Sequence, residues 1–109
     1  MSEVKSKSYT LRNEDGCWLG QVVLTSDGFF ASVTDLGNLS YAWRRTGSDF
    51  RDFIIGLNVS YFGSKMQNGL SCIAFSRKTE KACQQFAEKI LPALQKVLRE
   101  EVERGESFL

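Results

Sequence analysis

The chain has 109 residues, and its 14 lysines and arginines nearly balance its 13 aspartates and glutamates. This length predicts one domain, and an apolar fraction of 42% with 25% charged residues excludes disordered, collagen-like and coiled-coil proteins. The chain contains no histidine, which excludes nucleophile triads, general bases and metal sites that depend on imidazole. We therefore expect a protein without enzyme activity, cofactor or metal.

The sequence also predicts a cytoplasmic protein without a membrane contact. No apolar run approaches the roughly 20 residues of a membrane-spanning helix, and the polar residues 1–10 lack the apolar core of a signal peptide. The cysteines Cys17, Cys72 and Cys83 are odd in number and form no C-x-x-C pair. Neither a disulfide framework nor a zinc site is expected, and we predict buried, inert thiols.

The first half of the chain predicts an antiparallel β-meander. Runs of β-forming residues with alternating apolar and polar positions lie at residues 7–12, 17–25, 29–34 and 39–44. Turn signals such as Asp15-Gly16 and Gly37-Asn38 separate these runs. A further apolar segment at residues 70–75 is too short to distinguish a fifth strand from a buried connector.

The second half predicts helices. Apolar side chains recur at helical spacing over residues 49–57, 59–66 and 77–104. Ser48 or Asp49 can cap the first helix, and Asn58 can cap the second. Pro92 is the only proline, and it should kink or split the last helix near Leu91 because it lacks a backbone donor.

Together these elements predict an α+β fold. A four- to five-stranded antiparallel meander over residues 1–46 precedes a mainly helical part over residues 47–109, with the helices packed on one face of the sheet. Residues 106–109 should form a frayed tail. The apolar stripe of the C-terminal helix either covers the sheet or pairs with a second copy in a homodimer.

A group of arginines beside an aromatic strand is the first candidate binding site, formed by Trp43, Arg44, Arg45 and Arg51. Such residues make hot spots in protein interfaces, or they stack bases and pair with phosphates of a nucleic acid. Alternatively, the tryptophan belongs to the core and the arginines are solvated. The net charge of only +1 argues against strong non-specific nucleic-acid binding.

Acidic turns are the second candidate site, formed by Glu14, Asp15, Asp27 and Asp35. These carboxylates could meet a basic partner and mimic the phosphates of a nucleic acid. They could equally serve ordinary turn chemistry, because aspartate bonds locally to the backbone of turns. Asp49 and Asp52 could form a pair for acid–base chemistry, but their place before a helix favours capping and charge at its N-terminus.

The middle of the chain carries a motif of glycine, aromatic and charged residues. Residues 35–43 read D-L-G-N-L-S-Y-A-W, residues 47–54 read G-S-D-F-R-D-F-I, and Tyr61 and Lys65 follow. This motif resembles that of small phage and prophage accessory proteins. This resemblance and the lack of catalytic motifs suggest a non-enzymatic phage protein in the cytoplasm of a bacterial host. We expect it to inhibit a defence protein or complex, such as a CRISPR effector, by occlusion; the alternative is a nucleic-acid-binding accessory protein.

Overall fold

A computed structural model describes residues 3–47, 49–70 and 77–108, except for the side chains of residues 70 and 77. Its strands are β1 (Ser6–Arg12), β2 (Trp18–Thr25), β3 (Phe29–Thr34) and β4 (Ser40–Ala42), and its helices are α1 (Phe50–Ile55), α2 (Val59–Leu70) and α3 (Arg77–Glu103). Four antiparallel strands followed by helices confirm the predicted α+β fold. The candidate fifth strand lies outside the described residues from position 71 onwards, and Leu70 ends α2.

The sheet has the order β1-β2-β3-β4, and all neighbouring strands are antiparallel. Side chains alternate between the two faces of a strand, so β1 buries Tyr9 and Leu11 while β2 buries Val22 and Leu24. Helix α3 packs against β1 and β2, and α2 packs against β4. The helices therefore cover the inner face of the sheet, as predicted.

Helix α3 is the element around which the core is built, because it contacts β1, β2, α1 and α2. Its buried apolar stripe consists of Cys83, Phe86, Ala87, Ile90, Leu91, Leu94 and Leu98. Among the described side chains of α3, the large apolar one left exposed is Val102, at 44%. This leaves little apolar surface on α3 for a homodimer.

Pro92 lies within α3 on its exposed side, and the helix continues past it. The carbonyl four residues earlier loses its helical donor at a proline, and an exposed position lets water replace that donor. The two halves of the helix are therefore not split. The prediction of a frayed tail is wrong for residues 106–108, because Phe108 is only 7% exposed and Arg51 Nη1 donates to the carbonyl of Glu106 at 2.8 Å. Leu109 lies outside the described residues.

The helix starts follow the predicted caps. Asp49 Oδ1 accepts from the backbone N–H of Asp52 at 2.8 Å, and Asn58 Oδ1 accepts from the N–H of Tyr61 at 2.8 Å. The free backbone carbonyls at the end of α1 find their donor on α3. Gln95 Nε2 donates to the carbonyls of Ile54, Ile55 and Leu57 at 2.8–3.1 Å. A buried amide thereby fixes the short helix α1 to the long one.

A buried carboxylate joins the sheet to helices α1 and α3. Glu101 on α3 is 2% exposed and bonds to Lys7 Nζ, to Tyr9 Oη at 3.1 Å and to Arg51 Nη1 at 2.9 Å. Burial raises the pKa of the Glu101 carboxyl, but the hydrogen bonds from Lys7, Arg51 and Tyr9 outweigh burial and leave that pKa below its usual value. Burial and then the charge of Glu101 raise the pKa of the Tyr9 hydroxyl.

We expect Glu101→Gln to lower the free energy of unfolding by about 3 kcal/mol at neutral pH, because it leaves the buried Arg51 guanidinium without its counter-charge. Glu100→Gln, at the exposed neighbouring position, should change it by less than about 0.5 kcal/mol. Urea unfolding measures both effects. Equal losses in the two variants would show that Glu101 has no special role.

The contribution of Glu101 should also depend on pH. A carboxyl with a lower pKa in the folded than in the unfolded chain stabilises the fold above the unfolded pKa, and this stabilisation is lost as pH falls. The difference between the wild type and Glu101→Gln should therefore shrink as pH falls below the usual value of 4.5. Urea titrations over an acidic pH series check the sign.

Candidate partner-binding surfaces

The structure separates the predicted site residues between the two ends of the sheet. In an antiparallel meander, the β1–β2 and β3–β4 turns lie at one end and the β2–β3 turn at the other. Glu14, Asp15 and Asp35 therefore share one end, which we call the acidic end. Asp27 lies at the opposite end, where Trp43, Arg44, Arg45 and Arg51 follow β4.

Trp43 lies in the core rather than on the surface. Trp43 is only 5% exposed, and its indole N–H donates to Tyr61 Oη at 3.3 Å. Its ring centroid lies 4.8–6.2 Å from the rings of Tyr41, Phe50, Phe53 and Phe62. This placement agrees with the alternative in which Trp43 is a core residue, and it leaves little of the ring for stacking on a base.

The aromatic cluster reaches the surface at a lysine. Lys65 Nζ lies 5.7 Å from the Tyr41 ring centroid and 5.3 Å from that of Tyr61, within the range of cation–π attraction. Tyr61 is 38% exposed. Tyr41, Trp43, Tyr61 and Lys65 of the phage-like motif are thus in contact with one another. Their spacing along the chain did not predict this contact.

The three arginines have different surroundings. The Arg51 side chain is 11% exposed and paired with Glu101, and its Nε is buried without a partner among the described atoms. Arg44 and Arg45 are exposed. Only Arg44 and Arg45 are therefore open to a partner over most of their length.

A cavity of about 480 Å³ lies between the β2–β3 turn, the start of α1 and the C-terminal tail. Trp43, Phe50 and Phe108 give it apolar walls, and Asp27, Arg44, Asp49 and Arg51 supply charges of both signs. Four predicted site residues line this cavity, namely Asp27, Trp43, Arg44 and Arg51. The mixed charge suits a polar side chain of a protein partner better than a row of phosphates.

At the acidic end, asparagines rather than the acidic residues hold the turns together. Asn13 Oδ1 accepts from the backbone N–H groups of Asp15 and Cys17 at 2.9 Å, and Asn38 Oδ1 accepts from that of Thr34 at 3.3 Å. Within the described residues, the carboxylates of Glu14, Asp15 and Asp35 have neither a hydrogen bond nor an ion pair. Asp27 differs, because its carboxylate accepts from the Thr25 hydroxyl. Turn chemistry therefore accounts for Asp27 and not for the other three.

Two large apolar side chains lie beside these carboxylates. Trp18 is 40% exposed and Leu36 is 47% exposed. Trp18 begins β2 and Leu36 lies in the β3–β4 turn, so both side chains lie at the acidic end. The sequence interpretation assigned Trp18 to a strand and missed its exposure, because the bulge next to Arg12 and the end of the helical cover are tertiary features.

The cysteine prediction is correct at one position and wrong at another. Cys83 is buried in α3, and burial raises the pKa of its thiol. Cys17 is exposed, because it lies in the β1–β2 turn beyond the reach of the helices. Cys72 lies outside the described residues.

Comparison with known proteins identifies a family. A family model described as a phage family matches residues 1–81, whereas no curated protein and no solved structure matches the chain. None of the helices in the described ranges is both long and apolar enough to span a membrane. A search of the same residues finds no cluster of three cysteine or acidic side chains able to hold a metal ion.

Gly28 and Trp43 both line the cavity, and their backbones lie in close contact there. A substitution at Gly28 tests this contact. Gly28 has a φ of +91°, and a Cβ there would lie 2.1 Å from the Trp43 carbonyl oxygen. We expect Gly28→Ala to lower the free energy of unfolding by about 3 kcal/mol or more, because it adds a backbone clash to the cost of a positive φ.

Gly16→Ala is the matched control, because Gly16 has a φ of +82° with nothing within 4 Å of its Cβ position. It should cost about 1–2 kcal/mol, the price of the positive φ alone. Urea unfolding compares the two variants. A Gly28→Ala loss no larger than that of Gly16→Ala would contradict the close contact.

Proposed function

The chain belongs to the phage family that matches residues 1–81, and from this we propose that it is a non-enzymatic protein that inhibits a bacterial defence system. It binds a host defence protein or complex, such as a CRISPR effector, and occludes one of its surfaces. The observation that carries the proposal is the acidic end of the sheet. There, Glu14, Asp15 and Asp35 are exposed and are not needed for the turns that hold them.

The acidic end suits a basic protein surface. Its turns are held by the Asn13 and Asn38 side chains, so binding costs little further ordering of the backbone. Three carboxylates speed the approach of a positively charged partner and disfavour wrong ones. Nearby, Trp18 and Leu36 add apolar contact area, and tryptophan is enriched among the residues that contribute most to protein interfaces.

A basic surface on a defence complex is a site that normally receives the phosphates of DNA or RNA. A protein that places carboxylates on such a surface blocks the nucleic acid without any chemical step. This mode of action agrees with a chain that lacks histidine, and it requires only affinity and shape.

The alternative, direct nucleic-acid binding, has weaker support. It relied on Trp43, Arg44, Arg45 and Arg51. Trp43 is 5% exposed, and the Arg51 side chain is 11% exposed and paired with Glu101. Only Arg44 and Arg45 remain open, and three carboxylates at the other end of the sheet repel phosphates.

We expect the purified chain to bind at least one purified defence complex and to restore phage plaques on cells that carry that system. The triple variant Glu14→Lys, Asp15→Lys and Asp35→Lys should weaken binding at least about 100-fold, since reversal of three charges replaces attraction by repulsion. Binding is measured by titration against a panel of complexes.

The control variant carries Glu88→Lys, Glu100→Lys and Glu103→Lys on the exposed side of α3. It has the same net charge as the acidic-end variant and should bind like the wild type. Circular dichroism confirms that both are folded. Equal binding by both variants, or no plaque rescue across several defence systems, would contradict the proposal. Tight binding to DNA or RNA that weakens steeply with salt would instead favour the alternative.

A further inference from the structure

The outer face of the sheet, opposite the helices, carries an unusual arrangement in β3. An antiparallel strand with one solvated face normally places polar residues outward. In β3 the outward positions are Phe29, Ala31 and Val33, whereas Ser32 and Thr34 point inward and are buried. Phe29 is 40% exposed and Val33 is 56% exposed.

Five apolar residues, Val4, Val23, Phe29, Ala31 and Val33, form what we call the outer-face patch, and polar outward residues such as Ser8, Gln21 and Ser40 border it. Val23 pairs with Ala31 in the neighbouring strand, and Val4, which is 55% exposed, lines a depression together with Phe29. An apolar area of this kind on a small protein marks an interaction surface.

We propose that a second copy of this chain covers the outer-face patch, with the two sheets packed face to face. The strand register places Ser8, Val23, Ala31 and Ser40 in one row across the sheet. A two-fold axis along this row sets Ala31 against Ala31 of the second copy and Phe29 against Val33. Small side chains then meet at the centre and large ones on either side, which lets two sheets interdigitate.

The charges at the two ends of the sheet favour the same orientation. An axis across the strands sets the acidic end, with Glu14, Asp15 and Asp35, above the opposite end of the second copy. That opposite end carries Lys5, Arg44 and Arg45, which outnumber its acidic residues Glu3 and Asp27. At the acidic end the three carboxylates outnumber one cation, Arg12. An axis along the strands would instead set acidic end against acidic end, which costs energy. The charges of the two copies are therefore complementary when the two-fold axis runs across the strands, and not when it runs along them.

The size of the face predicts a reversible dimer. Four strands about 4.8 Å apart and on average about six residues long present roughly 400 Å² per copy. A standard stable interface uses about 800 Å² per partner, so we expect a dissociation constant in the micromolar range. Sedimentation tests the dimer without a defence complex, so its failure and the failure of the proposed inhibition are distinguishable, although both proposals involve the charges of the acidic end.

Sedimentation velocity of the full chain, from about 5 to about 500 µM, tests the dimer. We expect a reversible monomer–dimer equilibrium that Val33→Ser weakens at least tenfold, because the two-fold axis makes each substitution act twice. The control Val102→Ser, at a comparably exposed valine on α3, should leave the equilibrium unchanged. Both positions are exposed, and circular dichroism checks that each variant is folded.

Ala31→Arg gives a second test, because it sets two like charges against each other on the proposed axis and should abolish the dimer. A monomer at every concentration would overturn the proposal. So would a dimer that survives Ala31→Arg in a folded protein, or one that Val102→Ser weakens as much as Val33→Ser.

Discussion

The buried Glu101 carboxylate is the interaction on which the arrangement of the elements depends. It accepts hydrogen bonds from β1 through Lys7 and Tyr9 and from α1 through Arg51. A buried charge is costly unless several donors surround it, so these elements can stay together only in an arrangement that supplies all three. Arg51 also holds the carbonyl of Glu106, which draws the C-terminal tail over the core. One carboxylate thereby fixes the edge of the sheet, the first helix and the chain end relative to α3.

The Trp43 cluster plays a comparable part at the other edge of the sheet. Trp43 joins β4 to α1 and α2 through ring contacts, and its backbone N–H donates to the Gly28 carbonyl at 2.8 Å. This explains much of the phage-like motif in physical terms, because most of its aromatic residues are packing partners of one tryptophan. Tyr61 and Lys65 extend the cluster to the surface, so a family that retained this motif would retain both a core and a small exposed face.

The placement of charge at the ends of the sheet links the fold to the two proposals. A meander of four strands brings alternate turns to the same end. Glu14, Asp15 and Asp35, which have no partner within the described residues, therefore share one end with Arg12, and Arg44 and Arg45 lie at the other end with Asp27. The proposed inhibition uses the acidic end, and the proposed dimer uses the face between the ends, with its orientation set by the charges at both ends. Both need a rigid sheet, which the Glu101 and Trp43 contacts provide from its inner side. Neither needs a reactive side chain, in keeping with a composition poor in catalytic groups.

Local signals along the chain determined the elements of this protein. Alternation marked the four strands, and Asp49 and Asn58 marked the helix starts, because strand alternation and helix capping act over a few residues. The fold class followed from the order of these elements. The sequence also identified eight candidate site residues, but it could not tell which of them meet, which are buried and which are paired.

Only the tertiary structure decided those points, since they depend on contacts between residues far apart in the chain. Arg51 looked like a free surface cation until Glu101, 50 positions away, neutralised it. Trp43 is buried because side chains of α1 and α2 pack against its ring, and Phe108 is buried where Arg51 bonds to the tail at Glu106. The apolar outward positions of β3 were visible as letters, but their exposure depends on which face the helices cover. The helices cover the face that carries Tyr9, Leu11, Val22 and Leu24, because the apolar stripe of α3 is buried against that face. The other face stays exposed.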